Sequence, residues 1–135
     1  MIFPDQLAES GSESGHQKAV FCWIALNCRK QFVALNKAFA IPNGGLRSKV
    51  TASRMKAEGA KSGVPDIFMP IGRPPFHGLF IEMKVGKNKP SDAQLEVMAG
   101  LREEGYATVV CWSWQDAIDA MLRYAYGTPF HGGSV

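Results

Sequence analysis

The stretch Leu79-Phe80-Ile81-Glu82-Met83-Lys84-Val85 constrains the fold more than any other. Successive side chains of a strand point to opposite faces. Leu79, Ile81, Met83 and Val85 therefore share an apolar face that needs a core, while Phe80, Glu82 and Lys84 share the other. Glu82 and Lys84 then sit on one face with their polar ends a few ångströms apart, among hydrophobic neighbours. Buried charge is costly unless it is paired or used. Taken alone, the Glu-x-Lys pattern is short and common, and an ion pair on a solvated strand face accounts for it.

The surrounding sequence predicts helices and strands in mixed order. A first helix is expected from about Ser12, with an apolar stripe through Val20, Phe21, Ile24 and Cys28. Ala38 to Pro42 reads as a short strand, Asn43-Gly44-Gly45 as a turn, and Ser48 to Glu58 as a second helix stopped by Gly59. Asp66 to Pro70 is a short apolar strand, Gly72 to His77 a Pro-rich loop, and Leu79 to Val85 the clearest strand. Ser91 and Gln94 form a capping box for a third helix ending at Gly105. Ala107 to Trp112 is a further strand, and Ser113 with Asp116 caps a last helix whose apolar face carries Trp114, Ala117, Ile118, Met121, Leu122 and Ala125. This order predicts one α/β domain over residues 1–135, a mixed β-sheet flanked by helices on both faces. Residues 1–12 and 127–135 are expected to be flexible.

Hydrophobic residues make up 46% of the chain, enough for a core. No apolar run reaches membrane-span length, and Met1 to Gly15 lacks the regions of a secretory signal, so a soluble, cytoplasmic protein is expected. Cys22, Cys28 and Cys111 lack metal-ligand spacing and read as small hydrophobes in a reducing compartment. Trp23, Trp112 and Trp114 fit core stripes. The net charge of +3 is modest, but residues 47–89 hold nine Lys or Arg against three acids. A basic segment suits a polyanionic partner, although charge clustering alone is better read as a solvated face.

Asp66 opens the strand before Leu79, where a hairpin-like return would set it beside Glu82. Two carboxylates and a lysine at one sheet edge suit metal-assisted phosphodiester hydrolysis. Mg²⁺ takes hard oxygen ligands, which Asp66, Glu82 and the backbone carbonyl of Met83 offer. Lys84 would orient water or neutralise charge on the phosphorus.

Gly63-Val64-Pro65-Asp66-Ile67-Phe68 followed by Gly78-Leu79-Phe80-Ile81-Glu82-Met83-Lys84 resembles the PD-(D/E)XK nuclease motif, and in particular the VRR-NUC (virus-type replication-repair nuclease) family. Ile41-Pro42-Asn43-Gly44-Gly45, the run Lys56 to Asp66, and Ser91 with Gln94 extend the similarity, which spans roughly Ser12 to Tyr124. The resemblance implies a restriction-endonuclease-like fold and a Mg²⁺-dependent DNA endonuclease, with Mn²⁺ as a substitute ion and Asp66, Glu82 and Lys84 as the core site. Stand-alone members of phage or bacterial type resemble Holliday-junction resolvases, which implies a homodimer acting on branched DNA. A helix-one acid often completes the family's metal site; Glu13, with Gln17 on the same face, fits that place, with Glu9 as a weaker rival. Glu13 reads equally as a first-turn acid answering the helix dipole.

Gln94 is expected as a capping partner whatever the function, and related nucleases bring a Gln here to the active site. Asn43, Gly44 and Gly45 form a turn that also admits a DNA backbone. Arg47, Lys49, Arg54, Lys56, Lys61, Lys87 and Lys89 are candidate phosphate contacts, each individually more typical of solvated surface. His77 reads as structural. The rivals are a non-catalytic DNA-binding module on a nuclease fold, a sequence-specific restriction-type nuclease, for which no base-reading element is evident, and a small interaction domain with an incidental ion pair.

Overall fold

Four strands hydrogen-bond into one mixed sheet in a computed structural model that describes residues 1–42, 49–128 and 130. They are β1 (Phe39–Ala40), β2 (Ile67–Met69), β3 (Leu79–Met83) and β4 (Ala107–Cys111), in that spatial order. β1 and β2 are antiparallel, as are β2 and β3, while β3 and β4 are parallel. Each strand is shorter than the sequence predicts; beyond β4 the Trp112 N–H turns to the Asp116 carboxylate, and at the end of β3 the Met83 N–H turns to that of Asp66.

The helices are α1 (Pro4–Ala8), α2 (Glu13–Asn27), α3 (Lys49–Ala57), α4 (Asp92–Glu103) and α5 (Trp114–Tyr126). Leu79, Ile81 and Met83 enter the core with Ala19, Val20, Trp23 and Ile24 of α2 and Ala117, Ile118 and Met121 of α5. α4, the crossover between parallel strands β3 and β4, lies on the other face, where Gln94 meets the Glu82 side chain. On that face Phe68 and Phe80 stack at 4.2 Å, and Tyr106 meets Phe80 edge-on.

The caps are local chemistry. Ser12 Oγ accepts from Gly15 N at the start of α2, and Ser113 Oγ accepts from Asp116 N at the start of α5. α5 ends at Gly127, whose φ of 69° only glycine adopts without cost.

Three expectations are corrected. Residues 1–12 are not loosely ordered throughout: α1 forms there, with Pro4 buried and Leu7 and Ala8 packed on the core. Its signal was not periodicity but Pro4 at the first turn and Gln6, whose Oε1 accepts from Phe3 N at 2.7 Å. Phe130 is packed on the core. Its ring lies 5.7 Å from Trp23 and 5.9 Å from Trp114, and its N–H donates to Asp119. Trp112 is not in the core: it is 41% exposed, and its Nε1 donates to the Asn88 carbonyl. A short 3₁₀ helix at Val33–Lys37 also went unanticipated. No helix among the described residues is long and apolar enough to cross a membrane.

Candidate active site

The antiparallel register of β2 and β3 pairs Ile67 with Ile81. One step further places Asp66 opposite Glu82, with both side chains on the face away from the core. The Met83 N–H donates to Asp66 Oδ2 at 2.8 Å, and the Ile41 N–H donates to the Asp66 carbonyl at 2.7 Å. Asp66 is thereby clamped from both sides at the end of β2. A strand residue's N–H and C=O project to the same edge, so the Met83 carbonyl also faces Asp66.

Glu82 is the one charged side chain in the core of the described residues, 2% exposed. Its Oε2 accepts from Gln94 Nε2 at 3.1 Å and lies 3.7 Å from Lys84 Nζ. Its Oε1 is buried and receives no hydrogen bond. Burial, then the charge of Asp66 and a proton shared with it, push the Glu82 carboxyl up to about 8 despite Lys84. Asp66 is also raised, first by burial, while the Met83 N–H and the proton held on Glu82 act against that rise. Two adjacent desolvated carboxylates repel, so each favours the protonated form of the pair.

Gln94 has two jobs at once. Its Oε1 accepts from Ser91 N at 2.8 Å, while the Ser91 hydroxyl accepts from Gln94 N, closing the capping box. Its amide nitrogen is left to hold Glu82. Gly63 presses on the same place, since a Cβ there would lie 2.6 Å from the Ala93 carbonyl oxygen.

Glu13 stands in the first turn of α2, half-buried, and its charge raises both carboxyl groups. Asn88 Nδ2 donates to Glu13 Oε2 at 3.4 Å, a long contact. Among the described residues no three His, Cys, Asp or Glu side chains gather as a ligand set. Glu9 is exposed at the end of α1. Asn88 is the neighbour that sequence reasoning missed; a loop asparagine after a strand gives no distinguishing signal.

The structure brings Asp66, Glu82, Met83, Lys84 and Gln94 together. Arg54 and Lys56 are exposed on α3, as is Lys49, and Lys61 follows it. Lys87 and Lys89 are exposed in the loop after β3. Asn43, Gly44, Gly45 and Arg47 lie outside the described residues. His77, exposed and against Tyr106, stands at the opposite end of β3 from Glu82. The thiols of Cys28 and Cys111 are buried and pushed up to about 11 and about 12, which keeps them protonated and unreactive.

A divalent cation fits these donors. A buried carboxylate oxygen without a partner beside a second carboxylate and a strand carbonyl is a hard, oxygen-only set. Such an ion would supply the positive charge that Glu82 and Asp66 lack.

Comparison with known proteins identifies the family. Residues 6–115 match the VRR-NUC domain family. A solved structure described as a VRR_NUC domain protein superposes with a TM-score of 0.66 at 26% identity, covering 97% of this chain and 94% of that one. No curated protein matches the chain. The match reaches from α1 to the start of α5, spanning the whole sheet with its paired carboxylates, and the chain belongs to the VRR-NUC family, with a nuclease-type fold.

Proposed function

We propose that the chain is a Mg²⁺-dependent DNA endonuclease selective for branched DNA, with Mn²⁺ as an alternative ion. Glu82 carries the proposal: a fully buried carboxyl whose Oε1 accepts no hydrogen bond, beside Asp66 and 3.7 Å from Lys84, is costly to fold and suits a cation. Asp66, Glu82 and the Met83 carbonyl hold the ion, which supplies Lewis acidity toward phosphate and water. Asp66 is fixed by the Met83 N–H and Glu82 by the Gln94 amide, so neither reorients during reaction. Lys84, 12% exposed, places its ammonium where negative charge gathers on the attacked phosphate and where a water is oriented. Lys87 and Lys89 follow on the exposed loop and reach the flanking backbone. Each chain carries one such trio, so two cuts in one junction take two chains, as in a homodimer.

A panel of end-labelled DNA tests this: a four-way junction, a flap, a nicked duplex and plain duplex, each with Mg²⁺, Mn²⁺ or Ca²⁺. Mg²⁺ and Mn²⁺ are expected to support cutting of branched forms, Ca²⁺ binding alone, and Glu82→Ala no cutting. DNA binding with no cleavage in any metal, unaffected by Glu82→Ala, would instead make the chain a binding module. Symmetric junction resolution by a strictly monomeric protein would refute the dimer.

A further inference from the structure

α3 spans nine residues, and none of them is buried. Short helices in water are marginal unless a face is packed. It carries Lys49, Arg54 and Lys56, with no acid within its span. Lys49 and Lys56 are seven residues apart, so they share one face, separated by about 10 Å along the axis. Arg54 pairs with Glu58 at 3.1 Å, but both side chains are well exposed, so the pair is weak and readily exchanged.

The roots of this excursion matter as much as its charge. The chain leaves the sheet at Ile41, whose N–H donates to the Asp66 carbonyl. It returns through Gly63, wedged against Ala93 beside Gln94, three residues before Asp66. An exposed basic helix is thus tethered at both ends to the residues that flank the buried carboxylates.

We infer that α3 is a phosphate-gripping arm that seats the DNA backbone next to Asp66. This rests on the nuclease proposal and adds a surface to it. Charge complementarity selects the occupant: three exposed cations with no acid on the same helix fit a sugar–phosphate backbone, and Val50 alone is a large exposed apolar side chain there. The contacts are to phosphate, so the arm contributes affinity without base preference. In the free protein α3 amides exchange quickly, and bound DNA protects them.

The test measures binding of fluorescent four-way-junction DNA by anisotropy in Ca²⁺ across a salt series. The variants are the triple substitution Lys49→Gln/Arg54→Gln/Lys56→Gln and the control Arg102→Gln, a cation held on Thr108 of the far strand. Since Lys49, Arg54 and Lys56 are all exposed, the triple variant folds as wild type does. Each lost phosphate contact removes about 0.9 from the slope of log affinity against log salt, so three lower it by about 2.7 and weaken binding on the order of a hundredfold at 0.15 M. Hydrogen exchange of α3 should slow on adding DNA to wild type. Unchanged slope in the triple variant, an equal loss in Arg102→Gln, or unprotected α3 amides overturns the arm while wild-type binding and cleavage leave the nuclease proposal standing. Wild-type protein that neither binds nor cuts DNA overturns both.

Discussion

Replacing Glu82 by Gln should make the metal-free protein more stable at neutral pH while abolishing cleavage. The folded carboxyl titrates at about 8, well above its ordinary 4.5. The folded chain therefore keeps a proton that the unfolded chain has already released. Stability from that proton is fully present below the unfolded value and is lost as pH rises toward and through 8. Between pH 5 and pH 8 the loss is on the order of a few kcal/mol, taking roughly 1.4 kcal/mol per pH unit over the window where only the folded carboxyl holds its proton. A glutamine has the same shape, its carbonyl can accept from Gln94, its amide N–H can reach Asp66, and it does not titrate. Urea unfolding of wild type and Glu82→Gln in EDTA, at pH 5, 6, 7 and 8, measures the effect. The two should be close at pH 5 and diverge with rising pH in favour of the variant. Parallel stability curves across that range would refute the claim that Glu82 is held protonated by burial and Asp66.

The same proton has a consequence for metal. Mg²⁺ or Mn²⁺ binding near pH 7 should release about one proton, because the ion takes the carboxylate form; calorimetry in buffers of different ionisation enthalpy reads it, and heats independent of buffer would contradict it. Asp66→Ala should weaken metal binding in the same instrument, and equal affinity in wild type and variant would remove Asp66 from the ligand set. Lys84→Ala should abolish cleavage but keep metal-dependent DNA binding, measured by gel shift in Ca²⁺; cleavage at the wild-type rate would show that the ammonium is not used. Gln94→Ala should cost about 1 kcal/mol of stability through the lost cap, seen in thermal unfolding, and should also slow cleavage; an effect on stability without one on cleavage would confine Gln94 to capping.

The trio was legible because it lies on short-range patterns. Alternation along Leu79 to Val85 placed Glu82 and Lys84 on one face, and the turn-rich run between Pro70 and Gly78 let Asp66 return beside them. The Ser91 and Gln94 box appeared with both hydrogen bonds. Features set by distant parts of the chain were less accessible. α1 is too short for a period to show, and it is held by packing on α2. Trp112 alternates like a core residue, but β4 ends at Cys111, and the indole turns outward to the Asn88 carbonyl. Phe130 follows a glycine stop, and nothing local says that Trp23 and Trp114 leave a place for it. The orphaned oxygen of Glu82 was also out of reach, because which atom lacks a donor depends on four separate elements meeting.

A buried carboxyl beside a second one persists only where the rest of the fold over-determines its position. β3 meets that condition on three sides. Its apolar face, Leu79, Ile81 and Met83, is closed against α2 and α5, so the strand cannot roll to bring Glu82 to water without exposing core. A one-residue slip would do the same, since it exchanges the two faces. Parallel pairing with β4 sets Glu82 beside Val110, and the Lys84 N–H donates to the Cys111 carbonyl just beyond. Gln94 then ties the side chain itself to the N-terminus of α4. Hydrophobic burial on one face of a five-residue strand thus opposes the electrostatic cost on the other. Relief of that cost by a bound cation is what couples stability to the chemistry proposed for this site.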